Sequence, residues 1–295
     1  MITGAGQGLG RAYAIRAAEQ GASVIVNDID GKFAADVVQL IKGKGGRAVS
    51  VVGSVADWAV AESLTRTCIS EFGAIDGVIN NAAMHYIEFP WEENAAQIRQ
   101  LIEVNVLGTI YCGLHALKAM IAQRRGSIVN VTSGAHLGME LRSTYGASKG
   151  AVASLTYGWA GEAMPYNVRV NALSPVALTP MTEASIEDQK RFGHLKRPVG
   201  DTPSPESIAP LANYLISDLS QGITGQIVRM AWNQISILAH PMDVPPSESR
   251  EGWTENDIAA AFDQTFRKHL KPFGVGVKTY AWDLGNAENG GRVKS

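Results

Sequence analysis

Short apolar runs rich in Val, Ile and Ala alternate with amphipathic stretches of helical period along most of the chain. This alternation is typical of a parallel sheet whose crossover helices cover both faces. The composition does not change abruptly along the first 233 residues, so we predict one doubly wound α/β domain over 1–233. The apolar runs predict seven parallel strands, at 1–3, 23–27, 48–53, 77–80, 127–132, 168–173 and 225–230.

Helices are predicted where apolar residues recur with a period of 3.6. Asp57 precedes one such stretch as its predicted N-cap. The long Pro-rich, charged stretch 175–204 predicts a loop with a short helix, and such loops often carry ligand contacts. The first strand has only three residues, where about five are usual, so we expect the natural chain to start upstream of Met1. The predicted helices cover about 11–19, 32–42, 57–72, 95–124, 145–164 and 206–217.

Composition narrows the classes of partner. The chain is 45% hydrophobic and 18% charged with a formal net charge of -2, and it has no basic cluster of the kind that binds nucleic acid. No run approaches the roughly 20 apolar residues of a membrane span. Cys68 and Cys112 lie in helical patterns without metal-ligand spacing, so we expect buried thiols, no metal site and a cytoplasmic protein with no nucleic-acid or membrane partner.

The run TGAGQGLG at 3–10 carries the first chemical signal. Gly4 permits a tight turn out of the first strand, Gly8 lets the backbone approach a pyrophosphate, and Gly10 lets the next helix pack closely. Asp28 follows at the end of the second strand, close to the spacing at which a carboxylate binds the adenosine ribose. Glycine triplets alone also occur in structural loops, but the two signals together predict a dinucleotide site.

A second signal lies in the middle of the chain. Tyr145 and Lys149 are four apart on one predicted helix, so the ammonium can lie near the phenol and lower its pKa. Ser133 ends the fifth strand, at the sheet edge where ligands gather, and can hold a substrate oxygen. Asn105 is a polar residue among apolar neighbours. An exposed helix pair, a strand-end cap and a structural amide are the alternative interpretations of these residues.

Together these motifs resemble, in order, the signatures of the short-chain dehydrogenases/reductases, over about residues 1–233. They are TGAGQGLG, NNAA at 80–83, VNV at 104–106, NVTS at 130–133, YGASK at 145–149 and RVNALSP at 169–175. The resemblance implies a Rossmann fold and a homodimer or homotetramer. It also implies that Ser133 orients the substrate oxygen, that Tyr145 is the acid/base, that Lys149 lowers its pKa and holds the nicotinamide ribose, and that Asn105 supports a water-linked proton relay.

The same resemblance implies a set of cofactor-binding residues. A carboxylate at Asp28 repels the 2′-phosphate of NADP(H), so NAD(H) is the expected cofactor. The helix that starts at Tyr145 is also rich in Gly and Ala, which favours close approach of another subunit. The implied cofactor-binding residues are Gly4, Gly8, Leu9, Gly10, Asp28, Ile29, Ser54, Val55, Asn81, Ala82, Tyr145, Lys149, Pro175 and Thr179.

Some positions depart from the usual family pattern. Ser54 replaces an Asp that meets adenine, Ala83 replaces the Gly of NNAG, and the interval from Ser133 to Tyr145 is one residue shorter than usual. Val176 and the run at 205–215 resemble the D-3-hydroxyacyl-CoA dehydrogenase branch. We expect an enzyme that interconverts a secondary alcohol and a ketone on a bulky, largely hydrophobic substrate. Acyl-CoA thioesters, steroids and other bulky ketones remain open, and a non-catalytic nucleotide-binding module is the alternative from another class.

Residues 234–295 form a C-terminal extension beyond the predicted sheet. Thr254 and Asp257 have the spacing of a capping box and predict an amphipathic helix to about Leu270. Exposing its apolar stripe to water would be costly. We therefore expect the extension to pack on the core or on a neighbouring subunit and to close the substrate site, with docking elsewhere as the alternative. The large apolar residues concerned are Trp253, Ile258, Phe262, Phe266, Leu270, Phe273, Tyr280 and Trp282.

Overall fold

The sheet has the predicted parallel architecture in a computed structural model that describes residues 1–192 and 202–270. Strand β1 pairs with β2, and β3 to β6 pair in chain order, all in parallel. Ile2 joins the two parts through parallel bridges to Val26 and Ile79, as a short first strand would. The strands are β1 Ser23–Asp28, β2 Arg47–Val52, β3 Gly77–Asn80, β4 Gly126–Val131, β5 Val168–Pro175, β6 Ile227–Ala231 and β7 Gln234–Leu238.

Strand β7 is antiparallel to β6 and was not predicted. Its residues lie in the stretch that sequence analysis assigns to the C-terminal extension. Antiparallel neighbours need only a two-residue turn instead of a crossover helix. Ala231 pairs with Gln234, and Trp232 in the turn has a φ of 52°. A five-residue strand whose Ile235 and Ile237 are exposed has little apolar burial to mark it in the sequence.

Helices follow the predicted order and cover both faces of the sheet. Asp57 caps α3 as predicted, because its side chain accepts hydrogen bonds from the backbone N–H groups of Ala59 and Val60. The short helix predicted in the loop at 175–204 is α7, and residues 193–201 lie outside the described part. The helices are α1 Gly8–Glu19, α2 Gly31–Gly43, α3 Trp58–Phe72, α4 Ala95–Ile102, α5 Gly108–Gln123, α6 Ser143–Ala163, α7 Pro180–Arg191, α8 Pro205–Ile216 and α9 Glu255–Ala261.

A π-helical segment, Glu103–Leu107, joins α4 to α5 within one continuous helix, Ala95–Gln123. By length and composition this helix is apolar enough to cross a membrane. Its α5 part packs against α3, α6 and strands β3 to β5 inside the α/β unit. Core helices of globular proteins can be equally long and apolar. The π segment is the one departure from regular α-helix between these two helices, and it contains Asn105.

Two apolar cores lie on the two faces of the sheet. One joins the sheet to α1, α2 and α8, and the other joins it to α3, α5 and α6. In the second core α5 and α6 approach closely. Gly113 permits this approach, since a Cβ added there would lie 2.2 Å from the Trp159 ring. Cys68 and Cys112 are buried free thiols of this core, as predicted. Burial raises the pKa of the Cys112 thiol to about 12, which keeps it protonated at neutral pH.

Residues 239–270 belong to a separate C-terminal unit. The predicted capping box is present: Thr254 accepts from the backbone N–H of Asp257, and the Asp257 carboxylate accepts from that of Thr254. Helix α9 then continues as a π turn at Phe262–Phe266 and a short 3-10 turn at Arg267–His269. Phe273, Tyr280 and Trp282 lie outside the described residues. The role of the extension at the substrate site stays a prediction.

Candidate active site

A cavity of about 570 Å³ lies at the carboxyl ends of the parallel strands, where open α/β sheets bind ligands. Three predicted catalytic residues, Ser133, Tyr145 and Lys149, line it. Asn105 does not line it. Gly10 is the one predicted cofactor-binding residue that is absent from the lining. The others that line the cavity are Gly4, Gly8, Leu9, Asp28, Ile29, Ser54, Val55, Asn81, Ala82, Pro175 and Thr179.

The glycine loop has the geometry that its sequence predicts. Gly4 and Gly8 have φ angles of +59° and +55°, which side chains rarely adopt. A Cβ added to Gly10 would lie 2.1 Å from the Gly4 carbonyl oxygen. Gly10 therefore serves the close packing of α1 against the loop, which explains why it is buried instead of lining the cavity.

The amino end of α1 is left open toward the cavity. Side chains of Asp30, Asp57 and Asn94 cap α2, α3 and α4, whereas no side chain caps α1. The first N–H groups of a helix have no partner within the helix. Gly8 and Leu9, at this end, line the cavity. The open end therefore suits a phosphate group, which both the N–H groups and the helix dipole stabilise.

Asp28 lies at the end of β1, is 8% exposed, and lines the cavity. Its Oδ2 accepts a hydrogen bond of 2.9 Å from the backbone N–H of Gly6, and its Oδ1 accepts one of 3.1 Å from that of Asp30. These bonds hold the carboxylate beside the glycine loop. Each oxygen still has a free lone pair that can accept from a ribose hydroxyl. The next residue, Ile29, is exposed and uncharged.

Tyr145, on the first turns of α6, and Ser133, after β4, lie together in the cavity. Burial raises the pKa of the Tyr145 phenol, while interactions with the Ser133 side chain and with the Arg142 charge oppose that rise. The predicted lowering of this pKa by Lys149 is therefore wrong for the cofactor-free protein, because desolvation of the phenol outweighs the nearby charges. Ser133 also caps a 3-10 turn, since its Oγ accepts from the backbone N–H of Ala135 at 3.2 Å. Ser133 therefore caps the turn after β4 and also lies beside the Tyr145 phenol.

Lys149 is 3% exposed and points into the cavity. Its Nζ donates to the Val131 carbonyl at 2.7 Å and lies 5.9 Å from the centre of the Tyr145 ring. An ammonium group has three N–H donors, so two remain for a ligand. Burial lowers the pKa of Lys149 to about 8. None of the described carboxylates forms an ion pair with this ammonium group. Its free donors therefore suit the hydroxyl groups of a bound ribose.

Asn105 is fully buried behind the cavity. Its Oδ1 accepts from the Met84 N–H at 2.8 Å, and its Nδ2 donates to the Met84 carbonyl and to Ser148 Oγ, both at 3.0 Å. Ser148 in turn donates to the Tyr145 carbonyl at 2.7 Å. Asn105 thus connects the π-helical segment to the loop after β3 and to the turn of α6 that bears Tyr145. This position is that of a positioning residue.

His85, Arg142 and Ser185 are among the cavity residues that sequence analysis missed, and they contact one another. The His85 ring meets the Tyr145 ring edge to face, with 4.6 Å between centroids. Arg142 Nε donates to His85 Nε2 at 3.2 Å, and Arg142 Nη2 donates to Ser185 Oγ at 2.6 Å. Burial and the neighbouring cations lower the pKa of His85 to about 4, so the imidazole is neutral at pH 7. The sequence offered one signal for this cluster, the charged residue Arg142 three positions before Tyr145.

Known proteins resemble the whole α/β unit. The model of the family described as short chain dehydrogenase matches residues 1–190. The (2S)-[(R)-hydroxy(phenyl)methyl]succinyl-CoA dehydrogenase subunit BbsD of Thauera aromatica is 32% identical over 237 residues, which cover 77% of this chain and 92% of that protein. The cis-4-hydroxycyclohexanecarboxylate dehydrogenase of Sinomonas cyclohexanicum is 34% identical over 232 residues, with 77% and 92% covered.

A solved structure agrees with these relatives. The gluconate 5-dehydrogenase of Burkholderia cenocepacia, in complex with NADP and tartrate, superposes with a TM-score of 0.71 at 27% identity and covers 78% of this chain and 92% of its own. The same family is indicated by the order of the motifs, by the parallel sheet with its glycine loop and by the match to the family model. This chain belongs to the short-chain dehydrogenase family.

Proposed function

We propose that this protein is an NAD(H)-dependent oxidoreductase that interconverts a secondary alcohol and a ketone on a bulky, largely hydrophobic substrate. The observation that carries this proposal is the convergence of Ser133, Tyr145 and Lys149 on the cavity that the glycine loop also lines. A nucleotide-binding module without turnover would not need these three side chains beside the loop.

The residues of the cavity fit a nicotinamide dinucleotide. The uncapped end of α1 suits its phosphates, the Asp28 oxygens suit a ribose, and Lys149 has two unused N–H donors. Members of this family bind NAD or NADP. When bound, such a cofactor supplies or accepts the hydride at the carbinol carbon.

The proton is handled by the chain itself. We assign Tyr145 as the group that gives a proton to the ketone oxygen or takes it from the alcohol, and Ser133 as the hydroxyl that binds this oxygen. The raised pKa of Tyr145 keeps its phenol protonated at neutral pH, which is the form that reduction of a ketone requires. Lys149, whose Nζ is fixed on the Val131 carbonyl, holds the ribose with its two unused donors. Asn105 holds α6 in place through Ser148 and, we propose, supports a water-linked proton relay.

The lining suggests the size and polarity of the substrate. Apolar side chains form much of the wall, and they are Met84, Val104, Met139, Val176 and Met181. The two relatives named above act on a succinyl-CoA derivative and on a cyclohexanecarboxylate, so both a CoA thioester and a cyclic alcohol are candidate classes. Hydroxysteroids are a third.

The proposed function can be tested with a panel of secondary alcohols from these classes. Their oxidation is measured as the formation of reduced cofactor. No turnover on any of them would contradict it.

We expect preference for NAD(H) over NADP(H) by at least about 100-fold in kcat/KM. Asp28 places a fixed negative charge where a 2′-phosphate would lie, and juxtaposed like charges cost several kcal/mol. Steady-state kinetics with both cofactors measure the ratio. Asp28→Asn keeps the shape and removes the charge, so it should narrow the ratio at least tenfold. Asp36→Asn, on the exposed side of α2, is the matched control. Equal use of NADP(H) by the wild type would refute the assignment.

We also propose a homodimer or homotetramer that uses one face of α6. Ala147, Ala151, Ser154, Gly158 and Gly161 are exposed at helical spacing and form a face of small side chains. Such a face permits close helix packing between subunits. Ala151→Glu should therefore shift the mass in solution to that of a monomer, as measured by light scattering at micromolar concentration. Ala35→Glu, on exposed α2, should not. A monomeric wild type would count against the proposal.

A further inference from the structure

Arg142 is a partly buried cation beside the proposed acid/base, and none of the described carboxylates lies within ion-pair distance of it. Its three hydrogen bonds go to neutral groups. Nε donates to His85 Nε2, Nη2 to Ser185 Oγ, and Nη1, at 3.5 Å, to the Glu140 carbonyl. A guanidinium has five N–H donors, so two remain unused. A desolvated charge in this state is costly unless something pairs with it.

The guanidinium is nevertheless held in place from three sides. Arg142 precedes α6, His85 lies in the loop after β3, and Ser185 lies on α7. Because the pKa of His85 is low, its Nε2 is an acceptor at neutral pH and does not repel the cation. Separate segments of the fold therefore fix a positive charge at one place in the cavity, which is the arrangement of a preorganised anion site.

The described residues of the cavity place no counter-ion beside Arg142. Among its described lining residues the only carboxylate is Asp28, which is bonded to Gly6 of the glycine loop. The Arg142 charge is also felt at Tyr145, where it opposes the effect of burial on the phenol. An anion bound by Arg142 would thus lie in the same chamber as the reacting oxygen.

We propose that Arg142 binds a carboxylate group of the substrate, which makes hydroxy acids and oxo acids the substrate class. This inference rests on the proposed alcohol and ketone chemistry. A guanidinium pairs with a carboxylate through two parallel N–H bonds, which matches the two unused donors. A phosphate dianion would call for further cations, and we have assigned the other cation of the described lining, Lys149, to the cofactor ribose. His85 and Ser185 are positioning residues for the guanidinium.

Matched substrate pairs test this inference. We would measure kcat/KM for 4-hydroxycyclohexanecarboxylate and 3-hydroxybutyrate, each beside its methyl ester, which removes the charge and keeps the reacting carbinol. The wild type should prefer the acids at least tenfold. Arg142→Gln should lower the ratio of acid to ester at least tenfold, and Arg142→Lys should lower it less. Arg99→Gln makes the same change on exposed α4 and should leave the ratio unchanged. Equal use of acid and ester by the wild type, or an equal loss on both in Arg142→Gln, would overturn the proposal.

A binding measurement separates this proposal from the proposed reaction. Cyclohexanecarboxylate has the anion but no carbinol, so its affinity can be measured by calorimetry without turnover. Arg142→Gln should weaken its binding at least tenfold relative to the wild type, with circular dichroism reporting that the variant is folded. Arg142-dependent binding without turnover of any alcohol would refute the reaction and keep the site. Turnover of neutral alcohols with Arg142-independent binding would refute the site and keep the reaction.

Discussion

Tyr145→Phe is expected to lower kcat by about 1,000-fold or more, because general acid–base catalysis contributes roughly 10²- to 10⁴-fold. The substitution removes one hydroxyl and leaves the ring, so the edge-to-face contact with His85 is kept. The variant should therefore fold and bind NAD(H) with wild-type affinity. Steady-state turnover and cofactor titration on the same preparation measure the two effects separately.

Tyr157→Phe is the matched control, since Tyr157 lies on the same helix and outside the cavity lining. It should keep wild-type kcat. The pH profile adds a second readout. Oxidation of an alcohol requires the phenolate form of Tyr145, which accepts the proton. Because burial raises the pKa of Tyr145, this form becomes populated only in the alkaline range. Wild-type alcohol oxidation should rise through the alkaline range. A folded Tyr145→Phe enzyme that retains more than about a tenth of wild-type turnover would reassign the acid/base.

Lys149→Met should abolish most turnover and yet stabilise the cofactor-free protein. Burial lowers the pKa of Lys149 to about 8 from an ordinary 10.5, and each pKa unit corresponds to about 1.4 kcal/mol. Holding this lysine charged at pH 7 therefore costs the folded state about 3 kcal/mol. The substitution also leaves the Val131 carbonyl without its donor, which costs about 1–2 kcal/mol. We expect a net gain of about 1–2 kcal/mol in the free energy of unfolding.

The expected stabilisation by Lys149→Met should decrease as the pH rises, because the folded and unfolded chains bind the lysine proton with different affinity. Below pH 8 the lysine is protonated in both the folded and the unfolded chain, so the full cost is present. Between pH 8 and 10.5 the folded protein loses the proton first, and the cost disappears. The advantage of Lys149→Met in denaturant unfolding should therefore shrink over this window. Lys118→Met, at an exposed position of α5, is the matched control. A destabilised Lys149→Met at pH 7 would contradict the interpretation.

The order of strands and helices, the helix caps and the glycine loop can be predicted from the sequence. Strand and helix positions follow from the period of apolar residues, which is a local property, and β3 begins and ends where the pattern predicts. Asp57 and the pair of Thr254 and Asp257 are caps because their side chains reach N–H groups only two or three residues away. The glycine loop is likewise local, since positive φ angles at Gly4 and Gly8 require glycine regardless of the rest of the fold.

Features that depend on residues distant in the chain become visible only in the folded protein. Strand β7 exists because β6 offers a free edge, which its own short pattern does not reveal. Asn105 bonds to Met84 and Ser148, which are 21 and 43 residues away in the chain, so its own stretch of sequence does not reveal these partners. The pKa directions of Tyr145 and Lys149 follow from desolvation, which the spacing of YGASK does not express.

The charge of the cavity is the clearest example. His85, Arg142 and Ser185 lie on three separate segments, up to 100 residues apart, and each is unremarkable in its own stretch of sequence. Folding brings them together and partly buries the guanidinium, and only then does Arg142 become a cation beside Tyr145 that no described carboxylate pairs with. Periodicity records which side of an element is buried. It does not record which side chains meet there or whether their charges are balanced.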